Sequence, residues 1–218
     1  MMRKCVCEAF GTFSLVLAGT GAIIINDVSD GAITHVGIAM TFGLIVMAMI
    51  YSIGETSGAH INPAVTLGFW LSRRLPGRMV APYIVSQCTG AFAASFVLLA
   101  LFPGHETLGA TLPAGAAMQS FWLEVILTMI LMFVILRVAT GSKELGVMAG
   151  IAIGGVVGLE AMFAGPISGA SMNPARSLAP ALVSGKTQFL WVYLAAPVLG
   201  AALAVPLWLA TSPVRPPR

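Results

Sequence analysis

The chain has 218 residues, of which 58% are hydrophobic and 9% charged, with a mean hydropathy of +0.94. Soluble domains carry roughly a quarter of their residues as charge, so this composition excludes the ordinary globular and disordered classes and places the chain in a lipid bilayer. The formal charge of +3 does not indicate a nucleic-acid partner, because the basic residues are spread between apolar runs and form no patch interleaved with aromatics.

The first apolar run, about Cys5 to Ile25, follows Arg3 and Lys4. It resembles a signal peptide in its charge order, but it is long enough to span and lacks a small-x-small cleavage site before Asp27. Five further spans are expected near 35–53, 80–101, 119–138, 146–164 and 188–210. Breakers separate them: Asp27 to Gly31, Pro76-Gly77, Pro103-Gly104 through Pro113, Gly141-Ser142 and Ser184-Gly185. The tail from Ser212, with Pro213, Pro216 and Pro217, reads as disordered. Apolar runs continue from end to end, so residues 1–218 are expected to form a single membrane domain. Cys5, Cys7 and Cys88 read as packing residues, since two closely spaced thiols leave a tetrahedral metal site half empty. No metal and no cofactor are expected.

One phrase occurs twice. Ser57-Gly58-Ala59-His60-Ile61-Asn62-Pro63-Ala64-Val65-Thr66-Leu67 returns 111 positions later as Ser168-Gly169-Ala170-Ser171-Met172-Asn173-Pro174-Ala175-Arg176-Ser177-Leu178, with seven of eleven residues identical. Asn caps helices and Pro suits the first helical position, so each copy should open a short helix. A helix of about ten residues is about 15 Å long, half of the hydrocarbon core. With both termini cytoplasmic, Arg3, Lys4, Arg73, Arg74, Arg78, Arg137, Lys143, Arg215 and Arg218 lie inside, leaving only Arg176 and Lys186 outside, as the positive-inside rule favours. One half-helix then enters from each side. The expected fold is all-α: six transmembrane helices plus two re-entrant half-helices, in inverted repeats of about 1–101 and 119–211.

Two opposed helix N-termini concentrate partial positive charge at the bilayer centre. Asn62 and Asn173 can offer amide N–H groups there, and the carbonyls of Gly58, Ala59, His60, Gly169, Ala170 and Ser171 can serve as acceptors along a path. Such a pore suits a neutral hydroxylated solute and repels cations. Arg176 must face water or a partner, since an unpaired guanidinium in hydrocarbon costs several kcal/mol.

The paired motifs, Asn62-Pro63-Ala64 and Asn173-Pro174-Ala175 followed by Arg176, in a six-span inverted frame resemble the aquaporin (major intrinsic protein) family over nearly the whole chain. The Gly165–Met172 and Ser57–His60 stretches are closest to its nodulin-26-like branch and the bacterial relatives of that branch. The resemblance implies a selectivity filter of Phe42, Ala161, Ala170 and Arg176. Water-selective members usually place His where Ala161 stands, and glycerol channels place Asp where Ser177 stands. Tyr193-Leu194 also departs from the Phe-Trp pair common in water channels. Glu8 and Glu124, each followed four residues on by Thr (Thr12 and Thr128), resemble the family's buried glutamates that support the re-entrant loops. Glu160 is expected to pack or bond behind the pore wall, His60 to line the cytoplasmic vestibule, and His35 and His105 to sit in loops or interfaces. A homotetramer in the cell membrane is implied.

These readings describe a passive channel for water and small uncharged solutes, including glycerol, urea and metalloid hydroxides such as arsenite or silicic acid, with protons and ions excluded. An ion-coupled secondary transporter of a small solute also suits inverted repeats, but neither motif supplies a coupling carboxylate. A strictly water-selective channel is the narrower alternative. An enzyme is not expected: the chain has no H-E-x-x-H, no G-x-S-x-G and no Ser/His/Asp grouping.

Overall fold

Hydrocarbon offers no water to backbone N–H and C=O groups, so an apolar chain with no closed barrel must satisfy them within helices. The computed structural model describes residues 1–139, 142 and 146–211. The expected break at Gly141, the basic residues Lys143, Arg215 and Arg218, and the tail 212–218 lie outside the described residues. Among the described residues there are eight α-helices and no strand: α1 Met2–Val28, α2 Thr34–Ser57, α3 Pro63–Leu71, α4 Val80–Leu101, α5 Ala117–Ala139, α6 Ala149–Ser168, α7 Pro174–Ser184 and α8 Leu190–Thr211. Six are long and apolar enough to cross a membrane. The remaining two, α3 with 9 residues and α7 with 11, reach only about half-way across at about 1.5 Å per residue.

In the first half α1 packs on α2 and α4, and in the second α5 packs on α6 and α8. The α2–α6 contact joins the halves, while α3 lies against α8 and α7 against α4. Each short helix therefore rests on the last span of the opposite half.

Close approach is bought by glycine at matching places. A Cβ on Gly90 of α4 would lie 2.0 Å from the Ala9 carbonyl oxygen of α1, and one on Gly200 of α8 would lie 2.4 Å from that of Val125 in α5. Ala9 and Val125 directly follow Glu8 and Glu124, so these contacts also seat the two buried acids. At the third crossing, a Cβ on Gly43 of α2 would come within 2.6 Å of the Gly154 carbonyl oxygen of α6. Small residues permit such contacts where no water drives helices together.

The spans agree with the hydropathy pattern to within three residues except at two ends. Helix α2 runs past the expected 53 to Ser57, and α6 passes Gly165-Pro166 to Ser168. Pro166 cannot donate to the carbonyl four residues back, that of Met162. His35 Nε2 lies 2.7 Å from this oxygen and replaces the missing donor. A side chain from the start of α2 thus lets α6 continue beyond a proline. Both helices then end on left-handed glycines, Gly58 (φ 90°) and Gly169 (φ 82°), a conformation that glycine adopts without Cβ strain.

Replacing Gly90 or Gly200 with Ala should destabilise the protein by about 1–3 kcal/mol, the usual cost of overpacking. Gly155→Ala, where a Cβ meets nothing within 4 Å, should be near neutral. Thermal unfolding in detergent, followed by tryptophan fluorescence, distinguishes these outcomes.

Candidate functional site

The loops before α3 and α7 are built alike. Each enters through a left-handed glycine and then alternates: Ala59 (φ 47°) and Ile61 (φ 44°) in one, Ala170 (φ 41°) and Met172 (φ 53°) in the other. Residues with a Cβ avoid this region, and each such residue costs on the order of 1–3 kcal/mol. The alternation turns successive N–H groups toward one side of the loop, where an acid receives them. Glu8 accepts from the N–H of His60 (3.0 Å) and of Ile61 (2.7 Å). Glu124 accepts from the N–H of Ser171 and of Met172, both at 2.8 Å. Hydrogen bonds to a charged group contribute about 1.5–3 kcal/mol each, enough to offset the backbone strain. Ser168 Oγ adds a third bond to Glu124 at 2.8 Å, and Gln87 Nε2 adds one to Glu8 at 2.7 Å. Thr12 and Thr128 do not bond these carboxylates; each donates to the backbone carbonyl of its own glutamate.

The two helix N-termini meet through reciprocal bonds. Asn62 Nδ2 donates to the Met172 carbonyl at 2.8 Å, and Asn173 Nδ2 donates to that of Ile61 at 2.9 Å. Each Oδ1 meanwhile caps its own helix, accepting from Ala64 N (2.9 Å) in α3 and from Ala175 N (3.1 Å) and Arg176 N (3.3 Å) in α7. Every amide carries two N–H groups, so one remains on each Asn after the cross-link. The carbonyls of Gly58, Ala59, His60, Gly169, Ala170 and Ser171 accept no hydrogen bond from the described residues.

A cavity of about 1230 Å³ runs from Met1, Lys4, Arg74 and Arg78 at one end, past Asn62 and Asn173, to Phe42 and Arg176. His60, Ala170 and Ser171 line it as well. On α6 the lining residues are Ala149, Ile153 and Val157, spaced one turn apart; Ala161, the next position at that spacing and an expected filter residue, is not among them. Ala161 itself is buried and packs in the same apolar cluster as Ala170, with Phe42 against it. The Arg176 guanidinium stands 5.0 Å from the Phe42 ring centroid. Its Nη1 donates to the Gly109 carbonyl at 3.0 Å, while the buried Nε has no partner among the described residues. Glu160 is buried in α6 with both carboxyl oxygens unpartnered among the described residues, and it is not a lining residue.

His60 stacks on Phe69 at 4.5 Å, with Nδ1 3.1 Å from Thr66 Oγ1. In the second copy Ser171 and Ser177, which occupy the corresponding positions, are joined Oγ to Oγ at 2.5 Å. Several supporting residues carry no motif. Tyr83 and Tyr193, 110 positions apart, donate to the Ser57 and Ser168 carbonyls at 2.8 and 2.7 Å. Their near-repeat spacing was the available signal. Gly109, which holds Arg176, had none. On the same loop as Gly109, the Glu106 carboxyl is held below the usual carboxylate range by the Lys186 ammonium of the α7–α8 connection, 2.6 Å away.

The family model for major intrinsic proteins matches residues 1–208. The chain is 50% identical to aquaporin NIP1-1 of Oryza sativa subsp. japonica over 201 residues, 92% of this chain and 71% of that protein. It is 45% identical to nodulin-26 of Glycine max, over 92% of this chain and 74% of that one. The X-ray structure of the aquaglyceroporin from Plasmodium falciparum superposes with a TM-score of 0.83 at 25% identity, covering 95% of both chains. Two opposed half-helices in a frame of six apolar spans, together with these likenesses, place the chain in the major intrinsic protein family, as a multi-pass membrane channel for water and small solutes and not an enzyme.

Proposed function

We propose that the pore selects at Phe42, Ala161, Ala170 and Arg176 and passes glycerol, urea and metalloid hydroxides such as arsenite or silicic acid as well as water. The observation that carries this reading is the Phe42 ring set 5.0 Å from the Arg176 guanidinium in a cavity that Ala170 also lines, with Ala161 in the apolar cluster against which Phe42 packs. One side of such a constriction offers charge and donors, and the remainder is small and apolar, which suits a polyol or hydroxide with both hydroxyl and apolar faces. Similarity to a protein described as an aquaglyceroporin supports the wider range. Spare Asn62 and Asn173 N–H groups and the free carbonyls of 58–60 and 169–171 exchange hydrogen bonds with the passing solute. Arg176 and the two helix N-termini repel cations and protons.

A coupled transporter is disfavoured because the carboxylates beside the motifs are already occupied: both oxygens of Glu8 and of Glu124 accept N–H groups of the protein. Glu8 and Glu124 act as loop supports. The cavity mouth bearing Lys4, Arg74 and Arg78 faces the cytoplasm together with both termini, following the charge asymmetry. Residues 1–218 act as one domain, and the channel assembles as a homotetramer.

Two outcomes test this reading. In proteoliposomes, Ala161→His should lower glycerol permeability relative to water by roughly tenfold through steric narrowing. Unchanged glycerol flux in the folded variant contradicts the constriction assignment, and negligible glycerol flux in the wild type indicates a strictly water-selective channel. Glu124→Gln puts an amide where two backbone N–H groups need acceptors and should cost about 2–4 kcal/mol of stability. Thermal unfolding in detergent measures the loss, which Glu8→Gln should share; wild-type stability in both variants contradicts the loop-support role.

A further inference from the structure

Among the described residues the Arg176 side chain has one protein acceptor, the Gly109 carbonyl, so whatever fixes Gly109 also fixes the guanidinium opposite Phe42. Gly109 lies in the segment between α4 and α5, in a turn with two consecutive left-handed residues, Leu108 (φ 50°) and Gly109 (φ 70°). A leucine rarely adopts this conformation unaided. Its side chain is anchored, buried at 1% exposure against Ile24 and Leu98. A Cβ on Gly109 would lie 2.8 Å from that of Thr20, so the turn is pressed onto α1.

The N–H groups of the turn converge on one atom. His105 Nδ1 accepts from Leu108 N at 3.0 Å, with a longer bond from Thr107 N at 3.3 Å. On the other side of the ring, Nε2 lies 3.2 Å from Asp27 Oδ2, near the end of α1. An ionised carboxylate only accepts, so Nε2 carries the proton, and the neutral imidazole must then leave Nδ1 bare. Asp27 thereby fixes the tautomer that receives the turn.

We infer that His105 is a positioning residue of the pore: its Nδ1, oriented by Asp27, holds the 107–109 turn in the shape that presents the Gly109 carbonyl to Arg176. This rests on the proposed role of Arg176 in selection. It assigns to a loop histidine, with no contact to the solute path, control over how sharply the channel separates water from larger solutes.

The two faces of the ring can be tested separately. Asn places its amide oxygen near the position of Nδ1, and Gln places its amide nitrogen near that of Nε2. The measurement is the ratio of glycerol to water permeability in proteoliposomes of the full chain. His105→Ala and His105→Gln should each change this ratio by about fivefold, the weight of one lost hydrogen bond, while His105→Asn should restore it. Arg176→Val should change the ratio on its own, and adding His105→Ala to it should have no further effect.

If Arg176→Val alters the ratio but Ala and Gln at 105 leave it at the wild-type value, the inference fails and the constriction reading stands. If all three His105 variants lower both permeabilities in proportion, His105 serves folding alone and the inference also fails. If Arg176→Val leaves the ratio unchanged, the constriction reading falls and takes the inference with it.

Discussion

Four backbone N–H groups at the middle of this protein have no water to turn to, and two carboxylates receive them. Glu8 takes those of His60 and Ile61, and Glu124 takes those of Ser171 and Met172. In hydrocarbon a re-entrant loop is possible only where its polar groups find partners. Each carboxylate allows a run of left-handed residues, including the β-branched Ile61, to turn the chain back at mid-depth. Because the loops bend there, α3 and α7 start there, and their capping Asn residues come close enough to bond across the gap. The glycine contacts at Ala9 and Val125 bring the helices that carry these acids against α4 and α8. Packing, loop shape and pore centre are consequences of one arrangement made twice.

Function arises where the two copies differ. Val65 in α3 occupies the position that Arg176 occupies in α7, so the charge that faces Phe42 stands at one end of the cavity alone. His60, stacked on Phe69, lines the cavity in one copy, where the other has the smaller Ser171. Near-symmetry serves the polar groups of the backbone. The departures from it give the path two different linings, one with Lys4, Arg74 and Arg78, the other with Arg176 and Phe42.

Much of this was legible in the sequence because the governing signals are local or repeated. Hydropathy marked six spans, and the duplicated phrase marked two helix starts whose caps behave as Asn and Pro dictate. The spacing of Glu8 and Glu124 from their spans' starts pointed to matched roles. Other features depend on contacts between segments far apart in the chain and left no mark. The fifth span was expected to end at 164, and the bond of His35 to the Met162 carbonyl, 127 residues away across the α2–α6 crossing, explains why α6 continues past Pro166. Tyr83 and Tyr193 carried only a near-repeat spacing, and the bonds of their hydroxyls to the loop carbonyls show in the structure alone. Glu160, expected to pack or bond behind the wall, is buried there without a partner among the described residues.

The central claim is that solute crosses through a standing path between the opposed half-helices without a conformational cycle. The temperature dependence of osmotic shrinkage, measured by stopped-flow light scattering on proteoliposomes of the purified protein, tests it most directly. The account predicts fast shrinkage with an activation energy well below that of the bare lipid, unaffected by sodium or proton gradients. Saturable solute movement that requires such a gradient, with an activation energy at or above that of the bare lipid, would contradict it.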